Sequence, residues 1–171
     1  MVNSVPPKRC VIADDLRASR ELVRAWLRES GFQCEVVDQG DLAWQLIRNQ
    51  PPDLLITDIE MPVCCGLELL LRVRQSPFGK IKNLPVLTMT SLCDSQTRNV
   101  ILSMGGDGLL IKPLEKKSTL ATILDLIANR ETVDRFFKDN CNQNDASSGV
   151  ISPTLRRLVR TVALNEKLKS L

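Results

Sequence analysis

The sequence predicts an α/β protein: a parallel sheet with helices on both faces. Two observations carry this. Short apolar runs alternate five times with segments whose apolar residues recur at helical spacing. One run, Asp53 to Thr57, is almost wholly apolar, as a strand covered on both faces must be. Successive β-α units of this kind join into one parallel sheet.

Arg9 to Ala13 reads as the first strand. Leu16 to Ser30 reads as a helix, with Leu22, Val23, Trp26 and Leu27 recurring on one face and Gly31 placed as a C-cap. Cys34 to Val37 is a short second strand. Asp41 to Asn49 is a helix carrying Leu42, Trp44, Leu46 and Ile47, stopped by Pro51-Pro52. The third strand follows, ending before Asp58. Leu67 to Arg74 is helical, and Ser76-Pro77-Phe78-Gly79 is a loop. Leu84 to Thr90 is the fourth strand. Ser95 to Met104 is a helix ended by Gly105-Gly106, and Gly108 to Ile111 is a short fifth strand. Glu115 to Asn129 is a long helix whose apolar face holds Leu120, Ile123, Leu124 and Ile127.

Beyond Arg130 the pattern changes. Thr132 to Lys138 either extends the last helix or starts a short one. Asp139 to Ser148 is polar and without apolar period, which reads as a linker. Ser152-Pro153 looks like an N-cap followed by proline in the first turn, and Leu155, Leu158, Val159, Val162 and Leu168 form an apolar stripe after it. The chain thus divides into a flexible N-terminus over 1–8, an α/β domain over 9–130, and a linker with a basic amphipathic helix over 131–171.

Composition excludes several functions. The net charge is +3, and residues 152–171 hold five basic residues against Glu166, so the rest of the chain is close to neutral. By charge, the body is no nucleic-acid surface. The chain has no histidine and no tyrosine, which removes a histidine base, a histidine metal ligand and a phosphohistidine carrier. Six cysteines stand at 10, 34, 64, 65, 93 and 141 without a C-x-x-C pair, so neither a zinc site nor a disulfide framework is expected. Cys10 and Cys34 read as small core residues. Residues 1–8 hold no apolar leader, and no apolar run reaches the roughly 18 residues of a membrane span. A cytoplasmic chain with free thiols and no membrane partner is expected.

The chemistry lies at the strand ends. Asp14 and Asp15 close the first strand, Asp58 the third and Lys112 the fifth. Parallel strands carry all four to one edge of the sheet, where open α/β sheets bind ligands. Three close carboxylates repel one another, and Lys112 leaves a local formal charge of −2, which Mg²⁺ (or Mn²⁺) cancels. Mg²⁺ takes oxygen ligands, commonly one or two carboxylates with a substrate phosphate. Were Asp58 to attack a phosphoryl group, it would exchange its own charge for a dianion that metal and Lys112 offset. Thr90 closes the fourth strand, where its hydroxyl can donate to a phosphoryl oxygen. Lys112 precedes Pro113, and such a bond can be cis. Taken singly, Asp14-Asp15 reads as helix-capping charge, Asp58 as a loop acid and Lys112-Pro113 as a loop. Their joint placement at successive strand ends is what singles them out.

These residues resemble the receiver domain of two-component response regulators, over about Lys8 to Arg130. The likeness rests on Asp14-Asp15, on Asp58-Ile-Glu-Met-Pro-Val-Cys-Cys-Gly-Leu-Glu, on Pro85-Val-Leu-Thr-Met-Thr90-Ser, and on Gly105-Gly-Asp-Gly-Leu-Leu-Ile-Lys112-Pro113. The resemblance implies a flavodoxin-like (βα)₅ doubly wound sheet of strand order 2-1-3-4-5, followed here by a C-terminal helical tail. It implies Asp58 as phosphoacceptor, and Asp15, Asp58 and the backbone carbonyl of Glu60 as Mg²⁺ ligands, with Asp14 acting through water. Thr90 and Lys112 would contact the phosphoryl group, and Thr90 and Leu109 are the switch positions. The donor would be a phosphohistidine on a sensor histidine kinase, or an acyl phosphate. The domain would catalyse only its own phosphorylation and dephosphorylation, shifting a surface toward an output protein or domain.

Three departures stand out. Leu109 occupies the usual place of Tyr or Phe, Ser91 that of Ala, and Cys64-Cys65 a loop position where Asp or Asn commonly precedes the glycine. The cysteine pair invites a redox reading, but a thiol near three carboxylates would have a raised pKa and react poorly. The tail would dock on the domain, pair with a second copy as a homodimer, or connect to an output module. It is too short for a helix-turn-helix, so direct DNA binding is not expected. The alternatives are a pseudo-receiver uncontrolled by phosphorylation, an aspartyl-phosphate phosphatase, whose Asp-x-Asp on the first strand is missing, and a flavodoxin, whose phosphate-cradling loop is missing.

Overall fold

A computed structural model of the chain describes residues 6–128 and 152–169. The expected linker over 139–148, the segment 132–138, Cys141, most of the N-terminal segment and the side chain of Leu168 lie outside the described residues.

Five parallel strands form one sheet: β1 Arg9–Ala13, β2 Gln33–Val37, β3 Leu54–Asp58, β4 Val86–Thr90 and β5 Gly108–Ile111, in the order β2-β1-β3-β4-β5. The helices are α1 Arg17–Glu29, α2 Gly40–Asn49, α3 Gly66–Arg74, α4 Gly79–Lys82, α5 Ser95–Ser103, α6 Lys116–Ala128 and α7 Pro153–Lys169. The parallel sheet with helices on both faces is what the sequence pattern predicts, and the strand order is the doubly wound, flavodoxin-like one that the resemblance implies; the tail helix is present as well.

Strand residues alternate between two cores, as a two-residue period requires. Cys10, Ile12, Leu54, Ile56, Leu87 and Met89 face α1 and α6, packing on Val23, Leu27, Ile123 and Leu126. Val11, Ala13, Leu55 and Val86 face α2 and α3, packing on Ala43, Ile47, Leu69 and Val73. Each such side chain contributes about 1.5–3 kcal/mol by burial. α1 stops as expected: Gly31 adopts φ 85°, and the Phe32 N–H bonds to the Leu27 carbonyl at 3.0 Å.

The structure corrects three local readings. The loop after α3 runs into one further helical turn, α4, because Ile81 reaches the second core and its N–H finds the Phe78 carbonyl at 3.0 Å. In α6 Thr119, Ile123 and Leu126 are buried, Leu120 and Ile127 pack on the first core as read, and Leu124 is 50% exposed. In α7 the inward residues are Leu155, Leu158 and Val162, whereas Val159 is 38% exposed.

α7 begins as read: the Ser152 hydroxyl accepts from the Leu155 N–H at 3.2 Å. Its stripe joins a third apolar cluster with Ile59, Cys65, Leu67, Ile101 and Leu109. The helix docks on its own domain, one of the fates expected for the tail.

Candidate functional site

The register fixes where the strand ends meet. Ala13 pairs with Thr57, Asp58 with Met89 and Thr90 with Ile111. Asp14, Asp58, Thr90 and Lys112 therefore sit along one sheet edge, each at or one step past its strand's last residue.

One oxygen each of Asp14, Asp15 and Asp58 lies within 4.8 Å of the other two. Asp14 and Asp58 are buried; Asp15 is exposed. Asp14 Oδ1 accepts from the Leu16 N–H at 2.8 Å, so half of this carboxylate serves the turn into α1. Asp14 Oδ2 is buried and accepts no directed hydrogen bond; the Lys112 ammonium, 2.9 Å away, offsets its charge. Asp58 Oδ1 accepts from the Glu60 N–H at 3.2 Å, and Oδ2 from Lys112 Nζ at 2.6 Å. The Lys112–Pro113 bond is cis.

Burial raises the Asp58 pKa above the ordinary aspartate value; Lys112 and the Glu60 N–H oppose this, and Asp14 adds to it. For Lys112, burial works to lower the pKa, but its contacts with Asp58 and Asp14 outweigh it and hold the ammonium above the usual lysine value. The pocket is thus rich in negative charge, with Lys112 its one cation among the described residues in contact with the acids. Three carboxylates this close, with one ammonium between two of them, fit an oxygen-loving divalent cation.

Thr90 is wholly buried, and its Oγ1 accepts from the Leu92 N–H at 2.9 Å. Its carbonyl accepts from the Lys112 N–H at 2.8 Å, which ties the β4 and β5 ends together. Leu109 is buried in the third cluster, under α7. The Ser91 hydroxyl donates to Glu60 Oε2 at 3.3 Å, so this departure links two loops of the site.

Of two supporting residues, Arg20 escaped sequence reasoning and Gly66 was read only as part of a motif. Arg20 donates from Nη1 to the carbonyls of Asp14 and Asp15, at 2.9 and 3.1 Å, and holds the acidic loop. The only signal was a basic residue about one turn into the helix that follows the pair. Gly66 meets β3 so closely that a Cβ there would lie 2.0 Å from the Asp58 carbonyl oxygen. Between them, Val63 adopts φ 65°, a strained conformation for a β-branched residue. Cys64 and Cys65 are buried; burial pushes the Cys64 thiol up to about 12 and raises Cys65 as well. Burial is the first cause, and the acids that add to the Cys64 shift are Glu68 and Asp41 rather than the three aspartates of the site.

A family model described as the response regulator receiver domain matches residues 10–124. The chain belongs to this family. Response regulator MprA of Mycobacterium sp. (strain KMS) is 33% identical over 121 residues, covering 71% of this chain and 51% of the relative. The chain therefore spans about half the length of that curated relative. Among solved structures, the chemotaxis response regulator CheY4 of Vibrio cholerae is 25% identical, with a TM-score of 0.66, covering 70% of this chain and 98% of that one. The receiver domain of sensor histidine kinase PA1611 from Pseudomonas aeruginosa PAO1 is 20% identical, with a TM-score of 0.65 over 71% of this chain and 98% of that one. That likeness speaks for the fold; the PA1611 structure holds a magnesium ion in its active-site cleft. Receivers are signalling domains rather than turnover enzymes. No helix of this receiver is long and apolar enough to cross a membrane among the described residues.

Proposed function

We propose that this receiver takes a phosphoryl group onto Asp58 from a histidine kinase or an acyl phosphate, and passes the change to a protein surface. A carboxylate oxygen of Asp58 attacks phosphorus. The donor's bond to phosphorus breaks, and its electron pair leaves on the donor nitrogen or oxygen. Asp14, Asp15, Asp58 and the Glu60 carbonyl would hold Mg²⁺ or Mn²⁺, which supplies charge compensation when bound. Lys112 is placed to offset charge on the phosphoryl oxygens, and the Thr90 hydroxyl to donate to one of them. Residues 9–130 act as the receiver, and the helix after the linker belongs to its output.

The observation that carries this reading is the Lys112 ammonium bridging two buried carboxylates, 2.6 Å from Asp58 Oδ2 and 2.9 Å from Asp14 Oδ2, with the Asp15 carboxylate beside them. The family match supports it independently. Incubation with acetyl phosphate and Mg²⁺ tests it by intact mass. Wild type gains one phosphoryl group and Asp58→Asn gains none; an equal gain in the variant would remove Asp58 from the role.

A further inference from the structure

We propose that α7 is an internal reader of the Asp58 site, seated while Asp58 is free and released once it carries a phosphoryl group. The inference rests on Asp58 being the phosphoacceptor.

The seat and the site share their parts. Ile59 follows Asp58 directly, is wholly buried and belongs to the cluster that Leu155, Leu158 and Val162 complete. Cys65 and Leu67, in the same cluster, flank Gly66, which is pressed against the Asp58 carbonyl. Leu92 also packs on this cluster, and its N–H is held by Thr90 Oγ1. The floor under α7 is therefore fixed at both ends by residues of the pocket: Asp58 on the β3 side and Thr90 on the β4 side.

A phosphoryl dianion on Asp58 offers the Thr90 hydroxyl a charged acceptor, stronger than a neutral one. Turning to it draws Oγ1 away from the Leu92 N–H and frees the loop that carries Leu92. Close-packed floors do not deform gradually. α7 holds on by Leu155, Leu158 and Val162, while Arg156, Arg157, Val159 and Arg160 face outward, so a small change of floor costs it much of its contact. The position of Leu109 fits this role: α7 rests against α3, and its stripe shares one buried cluster with Leu109 of β5 and Ile101 of α5. Release uncovers that apolar groove and, with it, the stripe of α7.

Hydrogen–deuterium exchange of the full chain, read by mass spectrometry over residues 152–164, tests the proposal. With Mg²⁺ and saturating beryllofluoride the α7 amides should exchange about tenfold faster or more, within the usual span of allosteric couplings. In Asp58→Asn they should not respond. Coupling is reciprocal, so Leu158→Asp, which undocks α7, should tighten beryllofluoride binding by the factor seen in exchange; Leu158→Ala is the milder form should the first variant misfold. Unchanged or slowed α7 exchange in a chain that takes up phosphoryl from acetyl phosphate overturns the reader and leaves the phosphoacceptor reading standing. Failure to take up phosphoryl at all sinks both.

Discussion

Asp58 is pulled two ways: burial favours its neutral form, while Lys112 Nζ and the Glu60 N–H favour the charged one, and burial prevails. An acid whose pKa is raised on folding holds its proton more tightly in the folded state. Its ionised form at neutral pH therefore costs stability, and that cost fades as pH falls through the raised value toward the ordinary one. Asp58→Asn should accordingly be more stable than wild type at pH 7 in chelator, by on the order of 1 kcal/mol. The advantage should shrink in acid, and thermal melts at several pH values read both effects. Lys112 has the opposite sign. Its pKa is raised, so its contribution is present throughout the neutral range and lost only in strong alkali. Removing it leaves Asp14 and Asp58 buried without their cation. Lys112→Ala should cost about 2–4 kcal/mol in chelator, with Mg²⁺ restoring part of the loss. A Lys112→Ala chain as stable as wild type without metal would show that the ammonium is not what offsets these acids.

At the scale of elements, the sheet and five of its helices were legible because apolar periodicity and glycine or proline stops agreed at each boundary. The site was legible for a related reason: strand ends of a parallel sheet converge, so residues far apart in sequence could be placed on one edge. What was not legible depends on contacts between elements. Leu124 fits the helical period of α6 as well as Leu126 does, and only the position of the sheet decides between them. The single turn of α4 exists because one isoleucine reaches a core that has no signature in its own segment. Arg20 bonds backbone carbonyls, which leave no trace in a pattern of side-chain types. Gly66 looked like a motif glycine; its reason is the approach of α3 to the end of β3. Gly66→Ala should therefore destabilise the chain by about 2–3 kcal/mol, measured by urea unfolding. A variant unfolding at the wild-type midpoint would mean that α3 can move away freely.

Across the whole molecule, the acids, the lysine and the apolar seat of α7 form one continuous structure running from the sheet edge to the C-terminal helix. Most of a helix's stability in a protein comes from packing its apolar face, and Leu155, Leu158 and Val162 are the residues that bury α7 against the receiver. That slender attachment suits an element meant to leave. All of this depends on the pocket working as a metal-dependent acceptor. The most direct measurement is the rate of phosphoryl uptake from acetyl phosphate against Mg²⁺ concentration, with Asp15→Asn beside wild type. Uptake should saturate with Mg²⁺, stop in chelator, and need more metal in the variant; uptake at full rate in chelator, or a variant with the same metal dependence, would contradict the account.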